Sequence, residues 1–235
     1  LRHGLLEYDN PSPPVLIELA RDGETLPSVA LVTKQGFTFV FDRVSGAPRF
    51  PIEDRAVPQS DVPGEKTAAT QPFPTRPPSF AYQGATEENL NDLTPEVLEK
   101  AKAILKEYVH GPLYTPPSLD RPLIELPGYG GGAKWPGAAV DPETGLLYVP
   151  SMNHPSVVAI NEAYPARSNF KYVRGRAGEF PTIDGLPLFK PPYGTITALD
   201  LVHGELAWQI ANGGPGPVEH PLIAHLDLDS TGREL

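Results

Sequence analysis

Lys34 stands at the mouth of an apolar run, VTKQGFTFVFDR (32–43). A lysine in that place is either a solvated charge that opens a strand or a cation aimed at a partner. A second group of ionisable side chains, His3, Glu7 and Asp9, lies in RHGLLEYDNP (2–11). Carboxylates there are either surface acids or proton acceptors. Other chemistries are excluded by type and spacing. There is no cysteine, so thiol catalysis, thiolate zinc and disulfides are ruled out. Histidines 3, 110, 154, 203, 220 and 225 show no HxH or HExxH spacing, which argues against a histidine metal cluster. YGGG (129–132) and NGGPG (212–216) lack a following GK[ST] and are not phosphate loops, and no G-x-S-x-G is present.

The elements that must position these residues read mainly as strands. PVLIEL (14–19) and LPSVALV (26–32) flank RDGE, where Asp22-Gly23 supplies the positive-φ pair of a tight hairpin. GFTFVFD (36–42) continues as strand, with Phe37, Phe39 and Phe41 expected on one face. Residues 47–83 are proline-rich and lack periodicity, which predicts an irregular crossing. One segment is helical in pattern: DLTPEVLEKAKAILKEYVHG (92–111) carries Thr94 as N-cap, Pro95 at the first helical position and Gly111 past the end. Val97, Ala101, Ile104 and Tyr108 mark its apolar face. Helix and proline-rich segment together form an insertion of about residues 47–118 in a single domain spanning 1–235.

A short pattern recurs in FVFDRVSGAPRF (39–50), AAVDPETGLLYV (138–149) and TALDLVHGELAW (197–208). Each copy has an apolar strand, an Asp, a Gly four positions later and a second strand. The Asp caps the turn through its own backbone and the Gly takes the left-handed position. Repeated antiparallel hairpins ending in aromatics suggest the blades of a β-propeller, with Trp208 as a blade-docking residue.

The chain has 235 residues and a formal net charge of −10. The acidic balance argues against nucleic acid or an anionic membrane surface as partner. No run approaches the roughly 18 apolar residues of a membrane span. Leu1 is not an initiator Met, which predicts a processed form or a piece of a longer protein.

Several blocks, in order, resemble the quinoprotein dehydrogenases that use pyrroloquinoline quinone (PQQ), in particular their glucose-dehydrogenase-like branch. They are TKQGFTFVFDRVSG (33–46), RAVPQSDVPGE (55–65) followed by TQPFPT (70–75), LYTPPS (113–118), GYGGGAKWPGAAVDPETGLLYVPS (128–151) and PPYGTITALDLVHGELAWQ (191–209). The resemblance runs from about residue 3 to 222. It implies an all-β chain forming part of an eight-bladed β-propeller, with one inserted helix and with the remaining blades elsewhere, on a longer chain or on a partner chain. It also implies PQQ and calcium as cofactors, an alcohol or sugar as substrate, a quinone or cytochrome as electron acceptor, and a periplasmic location.

Residue by residue, the resemblance makes Lys34 the cation that reaches the reactive quinone oxygens. It places Glu7 where the family has the Asp that takes the substrate proton, 27 positions before Lys34. His3 is the one histidine that matches, and Asp9 belongs to the same stretch as a loop-holding residue. Lys134 and Trp135 fall in a loop that contributes to the PQQ pocket, where Trp135 is either a pocket wall or an inter-blade packing residue. The chain departs from the family pattern at Arg2, Leu6, Glu7 and Lys134. Calcium ligands are not assignable within these residues and are expected upstream of residue 1. The alternative reading is a non-catalytic quinoprotein-like fragment that serves as a structural subunit of a larger complex.

Overall fold

A computed structural model describes residues 2–232. Its strands, in chain order, are β1 (Val15–Arg21), β2 (Glu24–Val32), β3 (Thr38–Asp42), β4 (Ile52–Ala56), β5 (Thr70–Pro74), β6 (Leu123–Glu125), β7 (Ala139–Val140), β8 (Leu146–Met152), β9 (Ser156–Val158), β10 (Ile160–Glu162), β11 (Tyr172–Arg174), β12 (Thr182–Ile183), β13 (Leu186–Pro187), β14 (Gly194–Asp200) and β15 (Glu205–Ala211). Helix α1 (Pro95–Leu105) lies between β5 and β6.

Two sheets carry the architecture. β1, β2 and β3 form an antiparallel meander in that order. Arg21 pairs with Glu24 across Asp22 (φ 54°) and Gly23 (φ 81°), the tight turn expected from the sequence. The second sheet has the order β15-β14-β8-β7, antiparallel throughout. Alternate residues along these strands face opposite ways, so each sheet offers one apolar face. Those faces meet in a single core: Ile17, Leu19, Ala30, Val32 and Val40 pack with Leu147, Val149 and Leu199. Face-to-face stacking of small antiparallel sheets is how propeller blades pack.

The three Asp-to-Gly turns behave as expected. Asp42 and Asp200 each accept two backbone N–H bonds through Oδ1, and Asp141 accepts one from Glu143. Gly46, Gly145 and Gly204 return an N–H to the respective Asp carbonyl at 2.9, 2.9 and 2.8 Å, with φ between 69° and 74°. Two of these turns join the four-stranded sheet, β7 to β8 and β14 to β15.

The expectations for residues 47–83 and for the helix need correction. Residues 47–83 are not wholly irregular, because β4 and β5 pair over five residues. Pro72 and Pro74 hid that hairpin, yet an isolated two-stranded ribbon tolerates Pro on a strand side that needs no donor. The helix ends at Leu105, earlier than its pattern suggested, and buries Val97, Ala101 and Leu105, with Ile104 and Tyr108 only half-buried; the Thr94 cap is as expected, its Oγ1 accepting from Val97 N. In β3 the phenylalanines share one face as expected: Phe37 meets Phe39 edge-on and Phe39 stacks on Phe41, each pair at 6.2 Å, opposite the core face of Thr38 and Val40. Trp208 lies on edge strand β15, 41% exposed, with its ring against Tyr148 of the same sheet.

Candidate functional site

The turn between β2 and β3 aims Lys34. Thr33 N bonds Phe37 O and Gly36 N bonds Thr33 O, closing a tight loop at the strand mouth. Gly36 has φ 80°, and a Cβ there would lie 2.7 Å from that of Ala81. On the other side Ala133 N bonds Thr33 O, and a Cβ at Gly132 would come within 1.9 Å of the Lys34 carbonyl oxygen. Glycine at 132 thus permits the backbone contact that fixes Lys34.

The Lys34 side chain is 7% exposed and ends in an ion-paired fork. Its Nζ donates to Glu7 Oε2 at 2.5 Å and to Asp9 Oδ1 at 2.6 Å. Both carboxylates reach toward solvent, with side chains 59% and 64% exposed. Burial alone would lower the Lys34 pKa, but the bonds from Asp9 and Glu7 outweigh it and hold the ammonium above its ordinary value. The bond from Lys34 in turn holds Asp9 below the usual carboxylate range. A buried cation with two half-solvated carboxylates is a stable pairing, because the carboxylates keep part of their hydration.

The segment carrying the carboxylates is anchored from within. Tyr8, between them, is buried; its hydroxyl donates to Pro127 O at 2.8 Å and its ring meets Tyr114 edge-on. Gln35 Nε2 bonds Tyr8 O, so the neighbour of Lys34 also grips this segment.

The structure therefore brings Glu7, Asp9 and Lys34 together. The Lys134–Trp135 loop is tied to the same region by backbone: Ala133 bonds Thr33, and Ser12 Oγ donates to Lys134 O at 2.6 Å. Trp135 itself is 81% exposed, so it does not serve as packing between sheets among the described residues. His3 takes a left-handed conformation (φ 38°) and lines a small crevice with Tyr8 and Gln71, apart from the Lys34 fork. Sequence reasoning missed Glu125. It is 4% exposed, and burial pushes its pKa up to about 8. The signal was an acid inside the otherwise apolar LIEL (123–126).

A family model described as PQQ: Glucose/ethanol/alcohol dehydrogenase, beta-propeller domain, matches residues 1–233. The chain belongs to this PQQ dehydrogenase β-propeller family. Among characterised members, the glycerol dehydrogenase large subunit of Gluconobacter thailandicus is 32% identical over 86% of this chain and 31% of that protein. The quinate/shikimate dehydrogenase (quinone) of Acinetobacter baylyi is 28% identical over 99% of this chain and 32% of its own length. The quinoprotein glucose dehydrogenase of Gluconobacter oxydans is 28% identical over 91% and 29%. The chain thus spans about a third of these relatives. A solved structure titled Europium-containing methanol dehydrogenase superposes with TM-score 0.45 at 19% identity, over 86% of this chain and 28% of that one.

The residues present suit the quinone better than the metal. An anionic, planar quinone needs cations and a flat apolar surface; Lys134 and the exposed indole of Trp135 are of those types, while the Lys34 ammonium is already paired with Glu7 and Asp9. Calcium needs six to eight oxygen ligands. Among the described residues no group of three or more His, Asp or Glu side chains is arranged to hold a metal ion. Glu7 and Asp9 are already engaged by an ammonium.

Proposed function

We propose that this chain contributes the proton-accepting and cation-bearing part of a PQQ-dependent dehydrogenase that oxidises an alcohol or sugar hydroxyl to a carbonyl. The observation that carries the reading is the meeting of Glu7 and Lys34 at 2.5 Å across 27 residues. Each relative named above is a dehydrogenase, and their printed substrates are polyhydroxylated, which supports this reading over a purely structural module.

In this proposal Glu7 Oε2 accepts the proton of the substrate hydroxyl, its half-exposed position giving a substrate access. Lys34 orients that carboxylate and, as a fixed ammonium, stabilises negative charge that develops beside it. Asp9 holds the ammonium from its other side, so that Lys34 stays in place when Glu7 is neutralised. Lys134 and Trp135 form part of the cofactor wall. PQQ, when bound, supplies the acceptor for the two electrons that leave the substrate carbon. Onward transfer to a quinone or cytochrome, and work in the periplasm, complete the proposal. Calcium is expected from the family, with its ligands outside this chain.

The test is dye reduction by the full-length protein with PQQ and calcium, screened over glucose, glycerol and quinate. Turnover that is lost in Glu7→Gln and Lys34→Ala supports the reading. PQQ binding without turnover on any alcohol or sugar, or no binding at micromolar PQQ, overturns it.

A further inference from the structure

Behind the Glu7–Lys34–Asp9 fork lies a carboxyl that the chemistry above does not use. Glu125 closes β6, which pairs with β9 so that Glu125 faces Ser156. It is 4% exposed, and its Oε1 has no hydrogen-bond partner. No described residue forms an ion pair with it. The space beside it, lined by Leu6, Tyr8, Tyr114 and Glu125 among others, amounts to about 10 Å³. That is room for about one water molecule at most, so an ionised Glu125 would gain little hydration in place.

Glu125 is nevertheless coupled to the fork through Tyr8. Along the segment 7–9 the two carboxylates turn outward to Lys34, and the Tyr8 ring turns inward against Glu125 and Tyr114. We propose that Glu125 is a positioning residue for this site: as a neutral acid it backs the Tyr8 wall that carries Glu7 and Asp9, and its ionisation opens the Glu7–Lys34–Asp9 fork. The inference rests on reading Glu7 and Lys34 as the working pair.

A carboxylate with no ion-pair partner is costly to keep charged in so enclosed a setting. Burial accordingly pushes Glu125 up to about 8; the Tyr8 hydroxyl and Lys34 pull the other way, and Glu7 adds to the rise. Tyr8 and Tyr114, the other titratable groups facing it, are raised by burial and stay neutral through this range. Once ionised, Glu125 repels Glu7 and draws Lys34 inward, away from the outer carboxylates. In the unfolded chain the same group ionises near 4.5. The folded protein therefore holds the extra proton between about 4.5 and 8. Stability falls with rising pH across that window and levels off above it.

The experiment compares full-length wild type with Glu125→Gln and with Glu125→Met, a volume-conserving apolar variant that serves if the amide fails to fold. Melting temperatures are taken from about pH 5 to about pH 9. Lys34 accessibility is read as the rate of labelling by an amine-reactive reagent, by peptide mass. Relative to a folded variant, wild type should lose melting temperature up to about pH 8 and no further. Its Lys34 should label at the variant's rate at about pH 6.5 and several-fold more slowly at about pH 9, where the ionised Glu125 holds the amine inside. Parallel melting curves, or an unchanged labelling ratio, overturn the proposal. Should neither variant fold, wild-type infrared spectra decide: a protonated-carboxyl band at neutral pH that vanishes by about pH 9 is expected, and its absence at neutral pH overturns the proposal. None of these readouts requires PQQ, so failure to bind PQQ would count against the function proposed above and not against Glu125.

Discussion

Lys34 Nζ lies 2.5 Å from Glu7 Oε2 while the lysine side chain is 7% exposed and the glutamate 59%. The pair joins a buried cation to an accessible carboxylate, so the two members respond differently to substitution.

Replacing Lys34 by Ala removes a buried stem as well as a charge. The stability loss should be about 1–3 kcal/mol by urea denaturation, because Glu7 and Asp9 can turn to solvent once unpaired. Turnover should fall by roughly 10²–10³-fold, the usual consequence of deleting a fixed electrostatic group. A loss of turnover below about tenfold would separate Lys34 from the chemistry.

Glu7→Gln keeps shape and removes the proton acceptor. Turnover should fall about 10²–10⁴-fold with stability changed by less than about 1 kcal/mol, since the position is more than half exposed. Glu7→Asp tests reach: a carboxylate one methylene shorter should recover part of the rate if placement governs transfer. Equal rates for Gln and Glu at position 7 would assign the proton to another group.

The acid and alkaline limits of the fork follow from its two shifted groups. Asp9 is held below its ordinary 3.8, so its contribution is present above that value and disappears as pH falls through the lowered one. Lys34 is held above its ordinary 10.5, so its contribution is complete below that value and is lost only as pH rises through the raised one. Asp9→Asn should therefore leave the melting temperature's pH dependence unchanged in the neutral range and flatten it only in strong acid. A change of slope near neutrality would contradict the assignment.

Gly132→Ala should be far more costly than Gly23→Ala. Both glycines have positive φ, 61° and 81°. At Gly23 a Cβ meets nothing within 4 Å, whereas at Gly132 it would strike the Lys34 carbonyl oxygen. The conformational cost alone is about 1 kcal/mol; the clash should bring Gly132→Ala to about 3 kcal/mol or more by denaturant titration, and displace Lys34. Similar costs at the two sites would mean that the contact relaxes freely.

Much of the scaffold could be read locally. Asp22-Gly23, the Thr94 cap and the three Asp-to-Gly turns are decided by residues within five positions of one another, where backbone conformation and short hydrogen bonds dominate. The β4–β5 ribbon was hidden by its prolines, whereas the alternation of Phe37, Phe39 and Phe41 correctly put three rings on one face of the chain. The position of Lys34 relative to Glu7 was legible only through resemblance to a family, since no local rule relates residues 27 positions apart.

By itself, then, the sequence determined the turns, the strand segments, the helix start and the residue types that could take a proton or face a quinone. Only the tertiary structure decided which of those residues meet. It sets Lys34 between two carboxylates, leaves Trp135 in solvent and encloses Glu125 behind Tyr8. The physical reason is range: turn geometry is settled over a few bonds, but the burial and pairing of a charge depend on distant segments that pack around it and remove its water.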